Sequence, residues 1–134
     1  MGYSELLGWV VEKKSDGEAV IVLDADERHL NRAGIVHGGV LLSLADTAMG
    51  QAVQSLIDME TYRTLMAQLN ANMIKAAKPG RIVARGSVAS LGRRLAFCEC
   101  EIRQGDTLVA KASGVCYIKR RTSDGGDGTS AAQS

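Results

Sequence analysis

Residues 34–50 read GIVHGGVLLSLADTAMG, a polar junction that ends in His37-Gly38-Gly39 and runs straight into an aliphatic segment. From Val40 to about Ile57, Leu41, Leu44, Ala45, Ala48, Met49, Ala52 and Leu56 recur at three- and four-residue spacing, the period of a helix with an apolar face. Leu42 and Val53 carry apolar surface beyond that face, so the helix is expected to be buried on most sides. Its only charge between Gly38 and Ile57 is Asp46. With Ser43, Thr47, Gln51, Gln54 and Ser55 alongside Asp46, the segment is too polar for a membrane span of about 18 residues, and no membrane association is expected.

Outward from this helix the chain reads as strands. Glu18 to Asp24, EAVIVLD, is rich in β-branched residues and follows the turn Ser15-Asp16-Gly17, which pairs it with Trp9 to Lys13 in a hairpin. Asp24 to Ile35 is polar and irregular. Beyond a linker at Asp58 to Tyr62 come four more strands: Thr64 to Ile74, Arg81 to Ser90, Arg94 to Arg103 and Thr107 to Lys119. The turns Lys78-Pro79-Gly80, Ser90-Leu91-Gly92 and Gln104-Gly105-Asp106 are short enough to join antiparallel neighbours. In the segment from Arg94, Ala96, Cys98, Cys100 and Ile102 alternate with Phe97, Glu99, Glu101 and Arg103, giving one core face and one wet face. Two strands, one long helix and four strands describe an α+β domain over residues 1–121, an antiparallel sheet wrapped around one long central helix. Residues 122–134 lack large hydrophobic side chains and are expected to form a disordered tail.

Composition narrows the function. A chain of 134 residues suits one domain, and 46% hydrophobic with 23% charged residues suits a globular one. A net charge of +1 and four per cent aromatics lack the basicity and the stacking rings of a nucleic-acid binder, so no nucleic-acid partner is expected. The N-terminus has no basic leader followed by an apolar stretch, which points to the cytoplasm. Cys98, Cys100 and Cys116 lie in apolar strand-like runs and read as small hydrophobes. With His29 and His37 the only histidines, no metal site and no disulfide are expected.

Three features could carry chemistry. A carboxylate among apolar helix neighbours loses hydration, so Asp46 either faces a wet stripe or a structural hydrogen bond, or is a base strengthened by partial desolvation. Gly38 and Gly39 either permit a tight entry turn or present bare N–H groups at a helix start, where the macrodipole favours an oxyanion. His37 precedes the pair and Asn31 lies six residues earlier, so Asn31 to Asp46 gathers donors, positioning groups and a carboxylate within sixteen residues. Between residues 61 and 98 there are seven basic residues and no Asp or Glu, although the chain holds 15 acids. These bases either solvate strand faces or receive a phosphate-rich ligand, with Arg93-Arg94 in a glycine turn as the clamp.

Asn31-x5-His37-Gly38-Gly39-x6-Asp46 at a loop-to-helix junction, followed by four strands with a Gly-Arg turn, resembles the hotdog-fold acyl-CoA thioesterases. It looks most like the branch of phenylacetyl-CoA and 4-hydroxybenzoyl-CoA thioesterases, over about residues 5 to 120. The resemblance implies two subunits joined sheet edge to sheet edge with the active site at their interface. It places the helix carboxylate on Asp46, the oxyanion donor on the Gly38 N–H, and the thioester-positioning groups on Asn31 and His37. Some relatives hold the attacking water with a Ser or Thr on the next strand; Met66 stands there, with Thr64 and Gln68 expected to flank it on the same face.

The reading is hydrolysis of an acyl- or aroyl-CoA to acid and CoA, without metal or redox cofactor, CoA being part of the substrate. Asp46 would act as general base or as nucleophile. Exposed sheet edges and a half-covered site point to a homodimer or homotetramer. One alternative is a hotdog hydratase or dehydratase, which generally sets a His and a helix carboxylate further apart than the nine residues from His37 to Asp46. Another is a catalytically idle acyl-CoA-binding module, which would need an effector domain or partner.

Overall fold

The computed structural model describes residues 2–122. Beyond Thr122, the expected tail lies outside the described residues. The elements are a short helix α1 (Tyr3–Leu7), strands β1 (Val10–Ser15) and β2 (Glu18–Ala25), a 3-10 turn at Glu27–His29, and the long helix α2 (Gly38–Gln54). Then follow β3 (Tyr62–Met73), β4 (Gly80–Leu91), β5 (Leu95–Gln104) and β6 (Thr107–Arg120). All six strands form one sheet in the order β1-β2-β4-β5-β6-β3, with every pair antiparallel.

The helix lies in the hollow of this sheet because both surfaces are apolar where they meet. Leu44, Ala48, Met49 and Val53 of α2 are fully buried, as are Ile21, Ile82, Ala84 and Ile102 from the strands. In β5, Ala96, Cys98, Cys100 and Ile102 turn inward as their alternation predicts. Two glycines set close approaches, Gly86 between helix and sheet and Gly114 between β6 and its neighbour β3. A Cβ on Gly86 of β4 would stand 2.4 Å from the Ala48 carbonyl oxygen, and one on Gly114 of β6 would stand 2.9 Å from Met66 Sδ.

The sheet's edge strands, β1 and β3, are tied together through the end of α2. Lys14 Nζ of β1 donates to Gln54 Oε1 at 2.8 Å, and Gln54 Nε2 donates to Thr64 Oγ1 of β3 at 3.2 Å. Ser55 Oγ accepts from the Gly17 N–H of the β1–β2 turn, fixing the same end of the helix. Towards the start of α2 the two edges leave a face uncovered, where Leu42 and Asp46 are exposed.

Two expectations change, and two short elements are new. The turn Lys78-Pro79-Gly80 does not join neighbours: β3 pairs with β6, and β4 lies two strands further across. Curling of the sheet lets residues 74–79 cross the strand ends, where Ile74 and Lys75 N–H donate to Val109 O and Lys78 N–H donates to Gln104 Oε1. The second change is Gln68, which does not share a face with Thr64 and Met66. A bulge between Met66 and Gln68 resets the alternation, so Leu69 and Ala71 turn to the core while Gln68 and Asn70 face out. Finally, α1 and the 3-10 turn have no counterpart in the sequence reading, being too short to show a period.

Candidate active site

The loop before α2 is built on His29, which is 1% exposed. Its Nδ1 accepts from the Asp26 N–H at 3.0 Å, so the proton sits on Nε2, which donates to Leu7 O at 2.7 Å. Its carbonyl oxygen accepts from the His37 N–H at 2.8 Å, and Val36 N–H donates to Ala77 O. Sequence reasoning left His29 unassigned, although the spacing from Asp26 to His29 is that of a reciprocal cap and could have revealed it. Within this loop Asn31 Oδ1 accepts from the Ala33 N–H at 2.8 Å. That bond assigns the amide orientation and leaves Asn31 Nδ2 as a donor.

His37 is the N-cap of α2, and its Nδ1 accepts from the Gly39 N–H at 2.8 Å. The Gly39 donor is therefore spent, and His37 presents Nε2–H outward. The Gly38 N–H has no acceptor among the described residues. Gly38 opens onto a cleft of about 280 Å³ lined by Asn31, Val36, Leu41, Met73 and Lys75 among others. Lys75 and Met73 were not foreseen at this site; they arrive through the crossover from β3 to β4.

Asp46 lies on the uncovered face of α2, four residues from Leu42 and from Gly50. No described group hydrogen-bonds to its carboxylate or pairs with it. Although the residue is exposed in the single chain, partial loss of water to surrounding protein pushes its pKa above the usual aspartate value, and no cation among the described residues pairs with it to pull it back. On the inner face of β6, Cys116 is pushed up to about 11, by burial first and with the Asp46 charge contributing.

Asp46 is eight residues beyond Gly38, or roughly 12 Å along the helix axis. The donors and the carboxylate therefore do not converge within one chain, contrary to their closeness in sequence. On β3, Thr64 is buried with its hydroxyl engaged by Gln54, Met66 is half-buried against the core, and Gln68 faces outward. Arg93 and Arg94 sit in the β4–β5 turn beside Phe97, with Arg94 O accepting from the Ile118 N–H. Met73 by the Gly38 cleft pairs with Ala110, whereas Leu95 beside the arginines pairs with Tyr117. Those positions are seven residues apart on β6, about 23 Å in extended chain, so the arginines stand at the opposite end of the sheet.

An antiparallel sheet curled around one long helix is the architecture of the hotdog fold. The chain belongs to the thioesterase superfamily, whose family model matches residues 33–111. A Pseudomonas aeruginosa protein named provisionally as an esterase is 32% identical over 117 residues, covering 85% of this chain and 86% of its own. The structure of a conserved protein from the same organism superposes with a TM-score of 0.84 at 36% identity, covering 88% of this chain and 94% of that one. A mutant of the phenylacetic acid degradation protein PaaI from Thermus thermophilus superposes with a TM-score of 0.79 at 28% identity, covering 86% and 96%. Thioester hydrolysis is the chemistry of this family. Among the described residues no helix is long and apolar enough to cross a membrane.

Proposed function

We propose that the protein hydrolyses acyl-CoA thioesters to free acid and CoA, using Asp46 of one chain against a thioester held at the Gly38 cleft of another. The observation that carries this reading is an Asp46 carboxylate on the open face of the central helix with no hydrogen-bond or ion-pair partner among the described residues. A reacting carbonyl must lie within about 3 Å of its oxyanion donor and close to the base or nucleophile. The roughly 12 Å between Gly38 and Asp46 along one helix is too long for that. A homodimer that places the Asp46 face of one copy over the Gly38 cleft of its partner removes the gap, and a homotetramer can contain two such dimers.

In this arrangement the Gly38 N–H polarises the carbonyl, while Asn31 Nδ2 and His37 Nε2–H orient the thioester. Asp46 takes a proton from water, or attacks to give a mixed anhydride that water then opens. The thiolate of CoA leaves in either case. Arg93 and Arg94 receive the nucleotide phosphates, remote from the reacting carbon. Thr64, Met66 and Gln68 are not assigned the water, because Thr64 is engaged by Gln54, Met66 has no hydroxyl, and Gln68 faces away. The test is a panel of acyl-CoAs with a thiol-reactive dye. Release of CoA thiol, abolished by Asp46→Asn, is expected; binding without thiol release would favour an idle acyl-CoA-binding module.

A further inference from the structure

Gly50 lies inside α2, one turn after Asp46 on the same open face, and no local packing accounts for it. Glycine weakens a helix interior relative to alanine. At Gly86 the missing Cβ is required, because it would strike the backbone of α2, and at Gly17 the backbone adopts a positive φ of 80°. Gly50 has neither reason: its φ is not positive, and a Cβ there would meet nothing within 4 Å. A helical side chain leans toward the preceding turn, so any side chain at position 50 would reach back over the flank of Asp46. The space kept clear therefore adjoins the group proposed to do the chemistry.

We propose that Gly50 determines acyl specificity: the part of the acyl group next to the thioester carbonyl lies in the space a side chain at position 50 would fill. This rests on the reading of Asp46 as the hydrolytic carboxylate. Positions four apart on a helix are about 5–6 Å apart, so what passes over Gly50 is the α- and β-carbon region of the acyl group rather than a distant tail. Leu42, 37% exposed on the same face, supplies an apolar wall one turn before Asp46. Acyl groups that are branched or ringed at these carbons fill the space, whereas the single α-methyl of an acetyl group fills little of it.

The experiment compares kcat/KM for benzoyl-CoA and acetyl-CoA in the wild type, Gly50→Ala and Gly50→Val. A methylene-sized change in an apolar pocket shifts selectivity about 10- to 200-fold. The benzoyl-to-acetyl ratio is expected to fall about tenfold in Gly50→Ala and further in Gly50→Val, mainly through KM. Gly50→Ala should also melt a few degrees higher, about 2–6 °C, through its better helix propensity. Sedimentation should show the wild-type oligomer in both variants. A ratio unchanged within twofold, or equal losses on both substrates, would overturn the proposal and give the space to water or to the carboxylate itself. A change of oligomeric state would also overturn it, because Gly50 would then serve contact between chains. If the wild type releases no CoA from any acyl-CoA, the functional reading has failed; if Asp46→Asn is inactive but the ratio stays fixed, only the role of Gly50 has.

Discussion

Asp46→Asn preserves the shape of the side chain and removes its ability to take a proton or attack. Turnover is expected to fall about 100- to 10,000-fold in steady-state kinetics, with acyl-CoA affinity little changed. Retention of a third of the rate would make Asp46 a structural residue. Because burial raises the Asp46 pKa, the acid limb of kcat/KM should lie above the value of about 3.9 for a solvated aspartate. The same shift fixes a sign for stability. With the folded pKa above the unfolded one, the native state binds more protons between them, so stability falls as pH rises through that window. Asp46→Asn should therefore melt higher than the wild type at pH 7, and the difference should vanish at pH below both values. At the other half of the site, Gly38→Pro removes one N–H with little disturbance. Position 38 is the first of the helix, where proline is tolerated, and His37 already has the φ of −59° and ψ of 136° that a residue before proline prefers. Loss of an oxyanion donor is expected to lower kcat about 100- to 1,000-fold without changing the melting temperature greatly.

The elements were legible where a period ran long enough. Six of the seven apolar positions at helical spacing mark α2, which ends at Gln54 and leaves Leu56 and the expected end near Ile57 outside it. The alternation from Ala96 to Ile102 marks β5 with its inner face. The order of strands was not legible, because a short connection from β3 to β4 looks like a hairpin until the curl of the sheet carries it past the ends of β6 and β5. Gln68 was misplaced because a bulge leaves no mark in the side-chain pattern except the shift it causes. The candidate residues were similarly half legible: Asn31, Gly38 and Asp46 could be named, but sequence proximity hid their axial separation and the spending of the Gly39 N–H on His37. Packing of elements gives its own test at Gly86. Gly86→Ala would place a methyl 2.4 Å from Ala48 O and 2.8 Å from Met49 N, both backbone atoms that cannot swing aside. A loss of roughly 1–3 kcal/mol or more in urea denaturation is expected. A variant as stable as the wild type would show that α2 does not sit on β4 so closely.

At the scale of the molecule, Cys98 and Cys100 are pushed up to about 12 and Cys116 to about 11, in each case by burial first. The native protein should give almost no thiolate signal with a thiol-reactive dye at pH 8, and three thiols on unfolding. Fast reaction of any of them in the native state would contradict the buried core. Assembly is the larger question, since Asp46 and Gly38 face open surface at separate places on one chain. Sedimentation should give at least twice the 14.2 kDa of the chain. The most direct measurement is complementation: Asp46→Asn and Gly38→Pro, each inactive alone, are co-expressed with different tags and the mixed oligomers purified. If one chain supplies the carboxylate and its partner the N–H, a mixed dimer holds one site with both lesions and one with none. Mixed dimers should then hydrolyse acyl-CoA at about half the wild-type rate. Mixed oligomers no more active than either parent, though folded and associated, would contradict a hydrolytic site shared between two copies.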